Sequence, residues 1–469
     1  MSNKMLYSAE SWDKVYNAFG EINFVAYDFA SVKQSLIDYI KLKYPENFND
    51  YTDSSQLIAI ISAFAYIAEQ LAYRVDMATH ENLISSAQRK QSILRLAKLI
   101  GYKTSRNLPL RGFVKIVSVS CSEDIRDSQG NTLANRQIKW YDVLNPLWKE
   151  QFYLVMNRLV TTDLSIPLKQ LQVDDNFFKL YEINNVLESD TQGTSFVNGV
   201  LQIKVNANGT NLPFELVPCD VDKTGVFERS PNVLKQFSIL NNDDGYGDSS
   251  GMTGFLMYMK QGTLNKLPYT FEGNIPDRII DIDLQDINDT DVWLHEVSAS
   301  GELISEWESI DNIGGENLVF NTSKNRKKYE IETLENDAIR LIFGAGDFSE
   351  IPQGYFDIWA RTSYGEDISL TKQDLTDKTI TFAYISKAGR RETCSIVISL
   401  VSTLQNASTS ENIEHIRTVA PSVFYTQNRM VNGQDYNSYP LKDSSILKLK
   451  SVNRTFAGQG KLKGFTTDT

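Results

Sequence analysis

Apolar positions recur at helical spacing through the first quarter of the chain and at strand spacing through most of the remainder. Val32, Leu36, Ile37 and Ile40 fall on one helical face, with Asp28 placed to cap the segment and Pro45 to stop it. Asp53-Ser54-Ser55-Gln56 has the form of a capping box. It opens a stripe of Leu57, Ile60, Ile61, Phe64, Ala68, Leu71 and Val75, stepped mostly by three or four as an amphipathic helix requires. A further helix is expected to turn Leu83, Ala87, Leu94, Ala97 and Ile100 inward, with Gly101 at the left-handed cap position. Met77–Ala87 either joins these helices or separates them. Residues 57–78 are apolar over so broad a face that they require a substantial partner, within their own domain or on another chain.

After about Leu108 the pattern changes. Runs rich in β-branched and aromatic residues alternate with Gly, Asn and Asp turns: Phe113–Val119, Val200–Val205, Gly254–Met259, Arg278–Leu284, Arg340–Phe343, Tyr355–Ala360, Thr379–Ile385 and Thr393–Val401. A domain break is placed near Gly262–Ile275. The tail restarts a helical pattern with Ile413, Ile416 and Val419 that should stop at Pro421. Asn432–Tyr439 reads as turn or short helix, and Ser444–Val452 as a strand. The expected fold class is multidomain α+β. Its parts are an N-terminal arm (1–27), a helical region (28–107), a β-rich domain (108–270), a second β-rich domain (271–400) and an α/β C-terminal segment (401–469).

Net charge changes the functional picture. At −12, the chain is poorly suited to grip nucleic acid through its overall field. Cys121, Cys219 and Cys394 are widely spaced and form no CxxC pair, which fits a reducing compartment rather than a disulfide framework or zinc site. Met1–Glu10 lacks the apolar core of a signal peptide. No unbroken run of about 18 apolar residues occurs, so no membrane span is expected. Folding in a cytoplasm is the simplest account. The 11% of aromatic residues suits either cores or large interfaces.

Candidate catalytic patterns are incomplete. Gly247-Asp248-Ser249-Ser250-Gly251 matches G-x-S-x-G, but a nucleophile elbow needs a strand before it and a helix after it. Here Asn241-Asn242-Asp243-Asp244 precedes, and an extended run comes after, so a Gly/Ser/Asp loop is the reading. Asp243, Asp244 and Asp248, and separately Asp281, Asp283, Asp286, Asp289 and Asp291, offer oxygens without calcium-loop spacing. His80-Glu81 begins an HExxH, but Ile84 occupies the second His position. His80, His295 and His415 each read as polar surface or cap residues. No catalytic residue, cofactor or metal is assigned.

In chain order, the N-terminal landmarks are Asp28-Phe29, Tyr44-Pro45, Asp50-Tyr51, His80-Glu81-Asn82, Ala87-Gln88-Arg89 and Leu99-Ile100-Gly101-Tyr102. This order resembles the N-terminal region of the larger baseplate wedge subunits of T4-like contractile-tailed phages. Further on, Ile342-Phe343-Gly344-Ala345-Gly346-Asp347, Ile351-Pro352-Gln353-Gly354-Tyr355, Ala360-Arg361 and Tyr364-Gly365 are similar to the baseplate-J-like signature. Ala345 stands where that family more often has Asp. Ala420-Pro421, Asn428-Arg429 and Asp435-Tyr436 resemble its Pro, Asn-Arg and Asp-Tyr segment, with Arg429 expected to pair with a carboxylate and Tyr436 to anchor a turn. Residues between about 110 and 330 match only in general character. Family members continue beyond the Asp-Tyr segment, so the chain is either a compact member or part of a longer product.

The resemblance implies a structural, non-enzymatic virion protein of the tail baseplate, assembled in the host cytoplasm. Its partners would be a second copy of itself, other wedge proteins, neighbouring wedges and sheath-proximal or hub proteins, with no direct nucleic acid or membrane contact. Copies would pair within a wedge and link wedges into a ring that rearranges on sheath contraction. The bundle contacts would be Leu57, Ile61, Phe64, Ala68, Leu71 and Val75, unless these side chains form an intramolecular core instead. Three alternatives are a β-rich host-surface protein binding a glycan or receptor, a component of a related contractile secretion system, and a hydrolase built on Ser249.

Overall fold

The computed structural model describes residues 28–44, 55–183, 186–187, 196–207, 209–231, 237–243, 251–311, 313, 325–347, 349–426, 429–431, 433–442, 446 and 449–452. The fold is α+β, in two compact units, Met1–Ile100 and Gly101–Thr469.

The first unit is helical: α1 (Phe29–Lys43), α2 (Gln56–Glu81) and α3 (Lys90–Leu99). Asp28 occupies the N-cap of α1, although its side chain makes no capping bond. Ser55 caps α2 by accepting from the Ile58 N–H at 3.2 Å. Helix α1 packs on α2, which buries Ile58, Ile61 and Ala65. Helix α3 buries Ile93, Leu94 and Ala97. Leu83 does not join that inward face. It lies in the turn between α2 and α3, 57% exposed, where Glu81 accepts from the Gln88 and Arg89 N–H groups.

The second unit holds the strands. In chain order they are β1 (Arg111–Cys121), β2 (Ile138–Lys139), β3 (Lys169–Val173), β4 (Asn176–Ile183), β5 (Phe196–Val197), β6 (Val200–Ala207), β7 (Thr210–Val217), β8 (Cys219–Asp222), β9 (Gly225–Glu228) and β10 (Phe237–Asp243). They continue with β11 (Gly254–Gln261), β12 (Thr263–Phe271), β13 (Ile279–Asp281), β14 (Ile287–Val297), β15 (Leu303–Ile310), β16 (Lys328–Thr333), β17 (Ile339–Phe343), β18 (Gly354–Thr362), β19 (Lys378–Ile385) and β20 (Arg391–Leu400). Helix α4 (Trp148–Leu159), which the strand-like patterning hid, buries Phe152, Val155, Met156 and Leu159.

The larger sheet runs β19-β20-β1-β11-β10-β4-β3, with β7, β6 and β5 continuing from β11 and β2 on β1. The smaller sheet runs β12-β18-β14-β15-β16-β17-β13, antiparallel except for β15 and β16. Its strands all fall between β11 and β19. The expected boundary near 270 therefore does not separate two consecutive β domains. Strand β12 occupies the predicted break, and β19 and β20 return to pair with β1. A strand pattern shows which face is buried but not which neighbour it pairs with.

Two other expectations fail locally. Helix α5 (Ile413–Thr426) runs through Pro421. The missing N–H and the ring's clash with the preceding turn cost roughly 3 kcal/mol in a helix interior, and burial of Ile416, Val419, Ala420 and Val423 offsets it. Helix α6 (Gly433–Ser438) comes next, but the described residues of Ser444–Val452 form no strand.

Candidate functional site

Helix α2 presents two apolar faces. Ile58, Ile61 and Ala65 are buried within the chain. Leu57, Ile60, Phe64, Ile67 and Leu71 form another row, stepped 3-4-3-4 and continued by Arg74 and Ala78. That is the a/d spacing of a coiled-coil seam. Ile60, Phe64, Ile67 and Leu71 are each 53–62% exposed. Of the six expected bundle residues, Phe64, Leu71 and Val75 are exposed, Leu57 and Ala68 are half-buried, and Ile61 belongs to the chain's own packing. The flanks of the row, Ala63, Gln70 and Met77 on one side and Ile61, Ala68 and Val75 on the other, carry no charge. By length and composition α2 is also apolar enough to cross a membrane. Unbroken runs miss this, because mean hydropathy tolerates Ser62, Glu69 and Gln70 inside the helix.

The family-like positions serve the backbone and its junctions. Gly101 has φ +74° and turns the chain directly after α3. Tyr102 is buried and donates its hydroxyl to Glu411 at 2.5 Å, and Ser105 N–H donates to the same carboxylate. Burial, with the Glu411 charge beside it, pushes the phenol well above its ordinary range. At Gly344 a Cβ would collide with the Ser349 hydroxyl. Gly346 and Gly354 have φ +98° and +90°. Arg326 donates to the carbonyls of Gly346 and Asp347, and Pro352 is buried. Pro421 lies inside α5. Asn428 is outside the described residues. Arg429 is exposed, with its N–H on the Thr426 carbonyl. Asp435 accepts from the Val431 N–H at 2.9 Å, and Tyr436 is 47% exposed.

Where the two larger sheets meet the β8–β9 hairpin lies a buried ionic cluster that the sequence pattern did not single out. Arg361 on β18 is fully buried and contacts Glu215 at 3.0 Å, Glu228 at 2.6 Å and Asp291 at 2.7 Å. Lys260 on β11 contacts Glu228 at 2.8 Å and Asp291 at 2.6 Å. The β14–β18 register jumps from Ile287↔Thr362 to Val292↔Ala360. Asn288–Asp291 therefore bulges opposite Arg361, and Asn288 donates to Asp291 at 3.0 Å. Burial would raise the Asp291 carboxyl, but Lys260 and Arg361 outweigh it and hold it far below the usual range. Glu215 is pushed up, because burial outweighs Arg361 there. The sequence signal was a single cation inside each of two apolar strands: Lys260 in Gly254–Gln261 and Arg361 in Gly354–Thr362. A cleft of about 700 Å³ reaches the cluster, lined among others by Arg111, Phe113, Tyr258, Lys260, Asp291 and Trp293.

The incomplete catalytic patterns gain no geometry. Ser249, Asp244 and Asp248 lie outside the described residues. His80 is exposed beside Asp76 at 3.5 Å, and His415 meets Glu411 at 2.7 Å. His295 contradicts the surface reading: it is 1% exposed, with Nε2 unpartnered. Burial lowers its pKa to about 4 despite nearby Asp357. Among the described residues no three His, Cys, Asp or Glu side chains are grouped to hold a metal.

A family described as a domain of unknown function, DUF8360, matches residues 112–403, more than half of the 469-residue chain. The chain belongs to the DUF8360 family. The DUF8360 segment begins one residue inside β1 and ends just after β20, so it covers the strands of both sheets except Arg111, and it contains the buried cluster. Helices α1–α3 and α5–α6 lie outside it. No curated protein matches the chain.

Proposed function

We propose that this DUF8360 protein is a non-enzymatic structural subunit of a contractile phage tail baseplate wedge. It pairs with a second copy within the wedge and helps link wedges into a ring that rearranges on contraction. The observation that carries the reading is the open heptad row of α2. Burying Ile60, Phe64, Ile67 and Leu71 against another helix would contribute roughly 1 kcal/mol or more per side chain before association costs. The flanks add no charge to the seam, leaving Arg74 as the charged position within the row. The order of family-like blocks supports the same reading, with Gly101-Tyr102 joining the segment after α3 to the start of α5 through Glu411.

On this reading α2 meets protein rather than lipid. Ser62, Glu69, Arg74 and Asp76 give it polar positions that a lipid-facing helix would have to bury without water. A ring that switches shape needs contacts with two packings of similar energy. The buried cluster would keep the β unit rigid while such contacts rearrange. The test is co-purification of a tagged chain with the products of its neighbouring genes. The wild type should retain a tail protein and Phe64→Asp should lose it; equal retention by both would refute α2 as the assembly face.

A further inference from the structure

Two of the three cysteines face each other. The β1–β20 register places Cys121 directly opposite Cys394. In an antiparallel ladder, hydrogen-bonded and non-hydrogen-bonded pairs alternate. Ser122 N–H donates to the Thr393 carbonyl at 3.0 Å, which makes that neighbouring pair the hydrogen-bonded step. The Cys121 carbonyl instead accepts from the Asn135 N–H at 2.7 Å, away from β20. Cys121 and Cys394 are therefore a non-hydrogen-bonded pair. Their Cα atoms should lie about 4.5 Å apart, inside the window of roughly 4.4–6.8 Å that a disulfide spans. Directly opposed residues share a face of the sheet, and both thiols are buried in the same core with Tyr384 and Phe382. Both are free.

We propose that Cys121 and Cys394 form a redox-dependent cross-strand staple: thiols in reducing solution, a disulfide once a peroxide-class oxidant reaches them. One thiolate attacks a peroxide oxygen, breaking the O–O bond and giving a sulfenic acid and one water. The second thiol attacks that sulfur, forming the S–S bond and releasing the oxygen as a second water. The cysteine pair loses two electrons, the peroxide gains two, and both thiol protons leave in the water. The bond would tie β20, near the end of the matched domain, to β1 at its start. Such a long closed loop constrains the unfolded chain strongly. Burial pushes both thiols up, so the reaction is slow and proceeds as the β19–β20 edge opens locally. Cys219 is buried on β8, with its Sγ 3.7 Å from the Ser238 hydroxyl, and serves as the internal control.

The test incubates the full-length protein with hydrogen peroxide without denaturant. The peroxide is then removed, and the protein is unfolded and its remaining thiols counted by alkylation. The count should fall from three to one, a linked Cys121–Cys394 peptide should appear in the mass spectrum, and dithiothreitol should restore all three thiols. The oxidised form should melt several degrees higher. Cys219→Ser should fall from two thiols to none, and Cys394→Ser should give no internal link. Three surviving thiols would overturn the proposal. So would a Cys121 carried to sulfinic acid without a link, links between separate chains, a link that forms only in unfolding urea, or a link without a rise in melting temperature.

Discussion

Among the described residues, Arg361 carries a concentrated electrostatic load. Three carboxylates depend on it at 2.6–3.0 Å, with Lys260 as a second buried cation among them. Arg361→Leu should cost roughly 3–5 kcal/mol, because it strands charge in the interior. Adding Glu215→Gln should recover part of that loss. Urea unfolding measures both, and a loss below about 1 kcal/mol for the single variant would show that water reaches the cluster. His295 makes a second residue-level case. Its folded pKa of about 4 lies below the ordinary 6.5, so as pH falls the unfolded chain binds the proton first. Stability from the neutral imidazole is complete above about 6.5 and is lost as pH drops towards 4, by roughly 3 kcal/mol at most. His295→Gln should flatten that slope; parallel wild-type and variant curves would contradict it. At this scale the sequence showed that Gly101 had to turn the chain. It could not show that His295 would be buried, because the strand pairing that covers His295 is long-range.

Helix α2 was legible as an element because its apolar residues recur every three or four positions. The division of that stripe into a buried row and an open row was not, because Ile61 and Phe64 are both apolar residues of one stripe and differ in burial, which packing decides. The structure makes them a matched pair of probes. Phe64→Asp should leave the melting temperature within about a degree, since its side chain is mostly exposed. Ile61→Asp should destabilise the helical unit by roughly 3 kcal/mol or more, since it buries a charge without a partner. Circular dichroism separates the two, and equal loss in both would mean the open row is also core. Other elements were misread for identifiable reasons. Pro421 normally ends a helix, but α5 has enough buried surface to pass through it. Helix α4 went unseen because Phe152, Val155, Met156 and Leu159 sit between β-like runs.

At the scale of the whole molecule, eight of the twenty strands among the described residues, β1, β6, β11, β13 and β17–β20, were legible from alternation and turn residues, and the α+β class came from them. The insertion of one sheet between β11 and β19 was not legible, because pairing β1 with β20 depends on residues nearly three hundred positions apart. Net charge and α2 together yield a further expectation. Mixed with anionic lipid vesicles, the protein should stay in the aqueous fraction, since a net charge of −12 opposes the surface and the heptad row is matched to a helix. Flotation with the vesicles would give α2 to the membrane instead. The most direct measurement of the central claim is the native mass of the complex recovered when the chain is co-expressed with its genomic neighbours. The account predicts a species holding two copies of this chain together with at least one other tail protein. A single copy running alone beside every neighbour would contradict it.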